Sequence, residues 1–270
     1  MTATDILFHP ATPTSAQSQG NSDHHALLAG KTLLLPAPNS LGNLAQLAID
    51  VLISSLGLAR IGFVSSDLVL PACGTEAYGT PGDRSNELHT NFEVYGSPEG
   101  ASPQIVAIQL RAPVTAKRGV QFSTQLYHWI EQAAFASVIV LTGADAGRRM
   151  DREIVGNQLC ALASNVPNPL ASRLAELGIS TLESPPSGDR PIPPPGGGLA
   201  RFLLTEFDKS SIPMMIVACF AADGDCAQAV RLASAVFSIL HPGKDKVQWK
   251  TPASWAELYG PLQFTKELFQ

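Results

Sequence analysis

The sequence predicts a single α/β domain with a central, mostly parallel mixed sheet flanked by helices. Three observations carry that expectation. Short unbroken apolar runs recur, as in Leu33-Leu34-Leu35, Val138-Ile139-Val140-Leu141 and Met214 to Ala218, and a strand apolar on both faces belongs between two layers. Segments with helical spacing separate these runs. Near the start, an apolar run (Lys31–Leu35), a Pro/Asn/Ser/Gly turn, an apolar helix (Leu41–Leu56) and a second run (Ala59–Ser65) follow in the order of a βαβ unit.

Residues 1–27 are rich in Thr, Ser, Gln, Asn and His and read as a disordered tail; His24-His25, with no carboxylate or cysteine nearby, reads as a solvated pair. Pro36 and Pro38 end the first strand, and Asn39 or Ser40 is placed to cap the helix that follows. In that helix Asn43, Gln46, Asp50 and Ser54 form one polar stripe and almost everything else is apolar. A sheet covers only part of such a helix, so a second layer is expected on it: the aromatic C-terminal segment or another protein. Gly57 sits at its C-cap. Residues 73–86 read as a loop. Glu87–Tyr95 alternates Leu88, Thr90, Phe92 and Val94 with His89, Asn91 and Glu93, which suits a strand with one wet face, antiparallel or at an edge. It is expected to form a hairpin with Gln104–Arg111. Helix Ala116–Phe135, strand Ser137–Thr142, a short strand Gln158–Ala163 and a short helix Asn168–Leu177 follow. The loop 183–198, with its run of prolines and Gly196-Gly197-Gly198, lies within the domain and precedes helix Leu199–Phe207, strand Ile212–Phe220, the turn Asp223-Gly224-Asp225 and helix Ala227–Leu240. The C-terminal segment carries Trp249, Trp255 and Tyr259.

Composition narrows the function classes. Charged residues make up only 15% of the chain, so much of it should be buried or covered by a partner. Net charge is −5 and no Lys/Arg run is present; Arg148, Arg149 and Arg152 are the densest basic group, too few to displace phosphate counterions along a nucleic acid. Cys73, Cys160, Cys219 and Cys226 form no CxxC pair and read as free thiols. No leader pattern and no apolar stretch of about 18 residues is seen, so a soluble intracellular protein is expected.

Catalytic signatures are absent. No Walker loop follows a strand, and the turn after Leu35 holds one glycine, Gly42, where a dinucleotide loop needs three. No GxSxG elbow occurs. Gly196–Gly198 reads as backbone packed closely at a helix start, with anion binding the competing reading; Asp223 and Asp225 read as capping residues rather than cation ligands. His89 and His128 fall in a strand and a helix with no nucleophile beside them in sequence. No catalytic residue, metal or cofactor is assigned, and a binding protein is favoured over the alternative, a hydrolase or nucleoside-binding protein on the same fold.

Four segments in order give the chain a relative. They are Leu34-Leu35-Pro36-Ala37 with Gly42 to Asp50 and Ile61-Gly62; Asn86-Glu87-Leu88 and Glu93-Val94-Tyr95 continuing into Ile105 to Arg111 and Ser137 to Leu141; Pro194-Pro195-Gly196-Gly197-Gly198; and Trp249 to Trp255 with Leu258-Tyr259-Gly260. This set resembles the proteasome assembly chaperone 2 family from Lys31 to Gly260, within a domain of residues 28–260; the N-terminal tail and Gly143–Pro195 match poorly, and nothing is carried over there. The resemblance implies a phosphorylase/nucleosidase-like α/β domain without that activity and without a cofactor. It implies a heterodimer with proteasome assembly chaperone 1, the α subunits of the proteasome ring as clients, prevention of off-pathway ring dimers, and residence in cytoplasm and nucleus. Family members and proteasome activators can end in a hydrophobic residue, a tyrosine and any residue. Here residues 261–270 end in Leu268-Phe269-Gln270, a candidate docking tail in which Phe for Tyr removes a hydroxyl bond of about 1 kcal/mol; the competing reading is a last helical turn, Phe264–Phe269, packed on its own domain. On the first helix, Asn43, Gln46, Leu47 and Asp50 are the candidate partner contacts.

Overall fold

The computed structural model describes residues 6–11, 25–79, 87–149, 157–182, 191–222, 226–244 and 247–255. Leu268, Phe269 and Gln270, the turn Asp223–Asp225 and part of the proline-rich loop lie outside the described residues.

The described strands are β1 (Leu7–Pro10), β2 (Thr32–Pro36), β3 (Ala59–Ser65), β4 (Cys73–Gly74), β5 (His89–Thr90), β6 (Phe92–Gly96), β7 (Ile105–Leu110), β8 (Ser137–Asp145), β9 (Leu159–Ala163), β10 (Ser180–Thr181) and β11 (Met214–Ala221). The helices are α1 (Leu44–Leu56), α2 (Gly119–Gln132), α3 (Ser172–Glu176), α4 (Ala200–Phe207) and α5 (Cys226–Leu240). Nine strands form one sheet in the order β1-β3-β6-β7-β2-β8-β11-β9-β10, and β4 pairs with β5 beside it. The centre is parallel: β2 runs with β7 and β8, and β8 with β11. The first crossover, β2-α1-β3, does not set its strands side by side. It leaves two places between them, which the β6–β7 hairpin fills in antiparallel register.

Alternation along the central strands divides the core. Leu33, Leu35, Val138 and Val140 point to the layer of α2 and α4, with Phe122, Leu126 and Phe207. Leu34, Ile139 and Leu141 point to the layer of α1 and α5, with Leu52, Val236 and Ile239. Both faces are covered, which is why these strands read as unbroken apolar runs.

Three expectations are corrected or filled in. The N-terminal stretch read as tail contains β1, which pairs antiparallel with β3 at the sheet's edge. Ile6 and Phe8 are buried there, and Phe8 lies over Gly62, where a Cβ would come within 2.4 Å of its ring. β6 is neither wet on one face nor an edge: all five residues are buried between β3 and β7. The second layer on α1 is α5 together with the segment Trp249–Trp255; Trp255 is 2% exposed. As expected, α1 ends at Gly57 in a left-handed conformation, with the Leu58 N–H donating to Ile53 O at 3.1 Å.

Candidate functional site

Two places on this scaffold are where a functional site would be sought. The first is the crevice beyond the carboxyl ends of the central strands, where open α/β sheets hold their ligands. Here it is packed with the chain's own backbone. The turn after β2, the end of β8 and the loop before α4 meet there: Leu199 N–H donates to Pro38 O (2.9 Å), Leu41 N–H to Gly196 O (2.7 Å) and Asp145 N–H to Pro195 O (2.8 Å). Thr142 Oγ1, fully buried, donates to Gly197 O at 3.1 Å. Gly198 has φ +55°, and a Cβ on it would stand 2.2 Å from Pro38 O and 2.6 Å from Ser40 N. The glycine triplet therefore brings two backbones into contact. The amides around it are largely engaged, which removes the phosphate-loop geometry.

The second place is a polar hub walled in by α1, β6, β7 and the loop before β5. Asp50, on the inner side of α1, is 2% exposed. Its carboxylate accepts from Tyr78 Oη (2.6 Å), Gln109 Nε2 (2.6 Å), Arg111 Nη2 (2.8 Å) and Trp255 Nε1 (3.4 Å). Gln46 donates to Leu110 O at 2.9 Å. The expected polar stripe thus turns inward along β7, and the buried charge is met by a cation and by neutral donors, as buried carboxylates require. Of the candidate partner contacts, Asp50 and Leu47 are buried, Gln46 is half-buried and Asn43 is exposed.

Next to Asp50, across the edge-to-face pair Tyr78–Tyr95 (5.4 Å between centroids), lies a second charged group. His89, 5% exposed, has Nδ1 2.8 Å from Glu93 Oε2 and Nε2 3.0 Å from Glu76 Oε2. Glu93 is fully buried and also accepts from Tyr95 Oη (2.7 Å), the Thr90 N–H (2.9 Å) and Arg60 Nη1 (3.3 Å). With one carboxylate bonded at Nδ1 and a second within ion-pair distance of Nε2, the surroundings favour the imidazolium over the neutral ring. The bond to Glu93 raises the His89 pKa above its ordinary value, opposed by burial and assisted by Glu76. Burial pushes Glu93 upward, but the bonds from His89, Tyr95 and the Thr90 N–H outweigh it and hold the carboxyl below its usual range. Tyr78 and Tyr95 are pushed far above the ordinary phenol value, by burial first and then by the neighbouring carboxylates Asp50 and Glu93.

Chemically, Nδ1 is bonded to Glu93 and Nε2 stands at ion-pair distance from Glu76 without hydrogen-bond geometry, and no serine, threonine or cysteine side chain is bonded to His89 among the described residues. The ring holds two acidic groups together and has no lone pair to take a proton from a substrate. Among the described residues no group of three His, Cys, Asp or Glu side chains is arranged to hold a metal ion. His128 lies at the surface, with its side chain 59% exposed.

The sequence pattern puts His89 and Glu93 on a wet strand face and does not single out Arg60, Glu76, Tyr78, Gln109 or Arg111. The signal that could have found them is polar side chains at alternate positions, Glu93 and Tyr95 on β6 and Gln109 then Arg111 at the end of β7, in strands otherwise apolar enough for the centre of a sheet.

The PAC2 family profile matches residues 34–225. The chain belongs to the PAC2 family. Proteasome assembly chaperone 2 of Xenopus laevis is 34% identical over 240 residues, covering 85% of this chain and 91% of the relative. The Homo sapiens protein of the same name is 31% identical over 253 residues, covering 86% and 93%. Among solved structures, PbaA of Pyrococcus furiosus, described as an archaeal homolog of proteasome-assembly chaperone, superposes with a TM-score of 0.56 at 14% identity, over 79% of this chain and 82% of that one. That likeness establishes the fold, an α/β domain with a large mixed sheet between helices. Within this PAC2 family member, both the glycine triplet and the hub from Asp50 to Glu93 fall inside the matched span; Trp255 lies beyond it.

Proposed function

We propose that this chain is a non-catalytic chaperone of proteasome assembly. It pairs with proteasome assembly chaperone 1, promotes formation of the core-particle α-ring and prevents off-pathway ring dimers, in cytoplasm and nucleus. The observation that carries this reading is the near full-length likeness to relatives named proteasome assembly chaperone 2. The packed strand ends support it: where an enzyme of this layout would hold its substrate, Gly198 lies against Pro38 and Ser40. No feature of the hub favours the hydrolase or nucleoside-binding alternative.

Leu268 and Phe269 fill apolar space between neighbouring α subunits in this reading, and the terminal carboxylate of Gln270 meets a basic group there. Asn43, exposed at the start of the helix, faces the partner chaperone in this reading, with Gln46, held to Leu110 O, and the buried Leu47 and Asp50 supporting it from behind. The test is reconstitution: purified α subunits are mixed with this chain and its partner, and rings are counted on native gels. Rings should form faster, with fewer ring dimers, than without the pair; an unchanged ring yield contradicts the proposal. Deleting Leu268–Gln270 should weaken binding to purified core particle, and unchanged affinity would remove the docking tail from the account.

A further inference from the structure

The segment Trp249–Trp255 crosses α1 as a strap, held at its start by Ser55 and Phe237 and at its end by the hub and its loop. The Lys250 N–H donates to Ser55 Oγ at 2.9 Å. The Trp249 ring stands edge-on to Phe237 of α5, 6.0 Å between centroids. The Ser254 N–H donates to Ala77 O at 3.3 Å, and Trp255 reaches Asp50 with its indole N–H while its ring is almost wholly buried. Ala77 and Tyr78 belong to the loop between β4 and β5. That loop is tied to β5 through Glu76, which accepts the Tyr78 N–H at 2.8 Å and faces His89. A continuous path therefore runs from Glu93 through His89, Glu76 and Tyr78 to Asp50 and Trp255.

We propose that Asp50, Tyr78 and Trp255 are positioning residues that clamp the strap to α1 and so fix the point from which residues 256–270 continue, with His89 setting how firmly the clamp closes. The consequence for docking rests on the function proposed above; the clamp itself does not. An indole tryptophan held by a buried carboxylate is more than a hydrophobic plug. A plug would be indifferent to charge, whereas this contact depends on a carboxylate shared with Tyr78, Gln109 and Arg111.

The groups facing His89 are Glu93 and Tyr95 on β6, Glu76 on the loop, and the Tyr78 ring at 6.0 Å. Arg60 on β3 touches Glu93 and Glu87 from behind. Because the folded-state pKa of His89 is raised, its bridging contribution is fully present below the unfolded value and is lost as pH rises through the folded one. Those of Glu76 and Glu93, both lowered, are lost as pH falls through their folded values. The clamp should be firmest between those limits.

The test is hydrogen exchange on the full-length chain, read as protection factors for peptides covering 75–79 and 247–255 at about pH 6 and about pH 8.5, together with affinity for purified core particle. In the wild type, strap protection should fall at the higher pH. His89→Gln should flatten that pH profile. Trp255→Phe, which keeps an aromatic ring but loses the N–H, should lower strap protection roughly tenfold while central-strand amides stay protected. Equal protection in Trp255→Phe and wild type, or a pH-independent wild-type strap, overturns the clamp. Deleting Leu268–Gln270 separates the two claims: lost affinity with an unchanged strap supports docking, and lost affinity in Trp255→Phe with its C-terminus intact supports positioning. Unchanged affinity in the deletion fails docking, and the exchange data still decide the clamp.

Discussion

The strand-end crevice and the Asp50–His89 hub make an instructive pair. Each joins several elements of the chain that are distant in sequence. The crevice does so with backbone: Gly198 is pressed into the turn after β2 with no room for a side chain, and Gly196 packs against the end of β8. The hub does so with charge: carboxylates from α1, β6 and a loop are met by Arg111, Arg60 and His89. Open sheets of this kind usually place their chemistry at the strand ends. In this chain that place is packed, and the buried charges lie against the side of the sheet, where they hold a loop and the root of the C-terminal segment. Among the described residues the buried polar groups serve as attachments between elements.

The sharpest way to break the comparison is at Gly198. Gly198→Ala combines a left-handed backbone with a clash against Pro38 and Ser40 that only backbone movement relieves. It should cost more than about 3 kcal/mol by urea denaturation, and a loss under 1 kcal/mol would mean the crevice is not packed as described. Next comes Asp50→Ala, which leaves Arg111, Gln109 and Trp255 facing a gap. A fully buried ion pair broken this way costs about 3–5 kcal/mol; because the Arg111 side chain keeps 29% of its surface exposed, about 2–3 kcal/mol is expected, with a smaller loss for Asp50→Asn.

The hub's second half should respond to pH. Relative to His89→Gln, the wild type should gain stability between about pH 4.5 and 6.5, where carboxylates and imidazolium are charged together. That gain should shrink as pH rises through the raised His89 value; a gain growing at alkaline pH would contradict the bridging role. The smallest effect is expected where a side chain points to solvent and bonds to neither region. Leu88, 64% exposed at the hub's rim, should tolerate Leu88→Ser within about 0.5 kcal/mol.

The parts of the fold legible in sequence were those set by local patterns. Unbroken runs such as Val138 to Leu141 announced covered strands, and Gly57 and Gly198 marked a helix end and a close backbone approach. β1 was not legible. Ile6-Leu7-Phe8 is short, and its burial exists only because β3 offers an edge and Gly62 leaves space for a ring. β6 misled for a different reason. Alternation reports that two faces differ, and here the polar face meets a buried ion cluster rather than water. Trp255 was legible as an aromatic layer on α1, but its bond to Asp50 spans 205 residues, a pairing that no local pattern reports.

The central claim, that this chain acts in proteasome assembly through a partner chaperone and α subunits, is tested most directly by affinity purification of the tagged full-length chain from cells, with the bound proteins identified by mass spectrometry. Proteasome assembly chaperone 1 and core-particle α subunits should be recovered in defined proportion to the bait. Recovery of neither, with the bait folded and abundant, would contradict it.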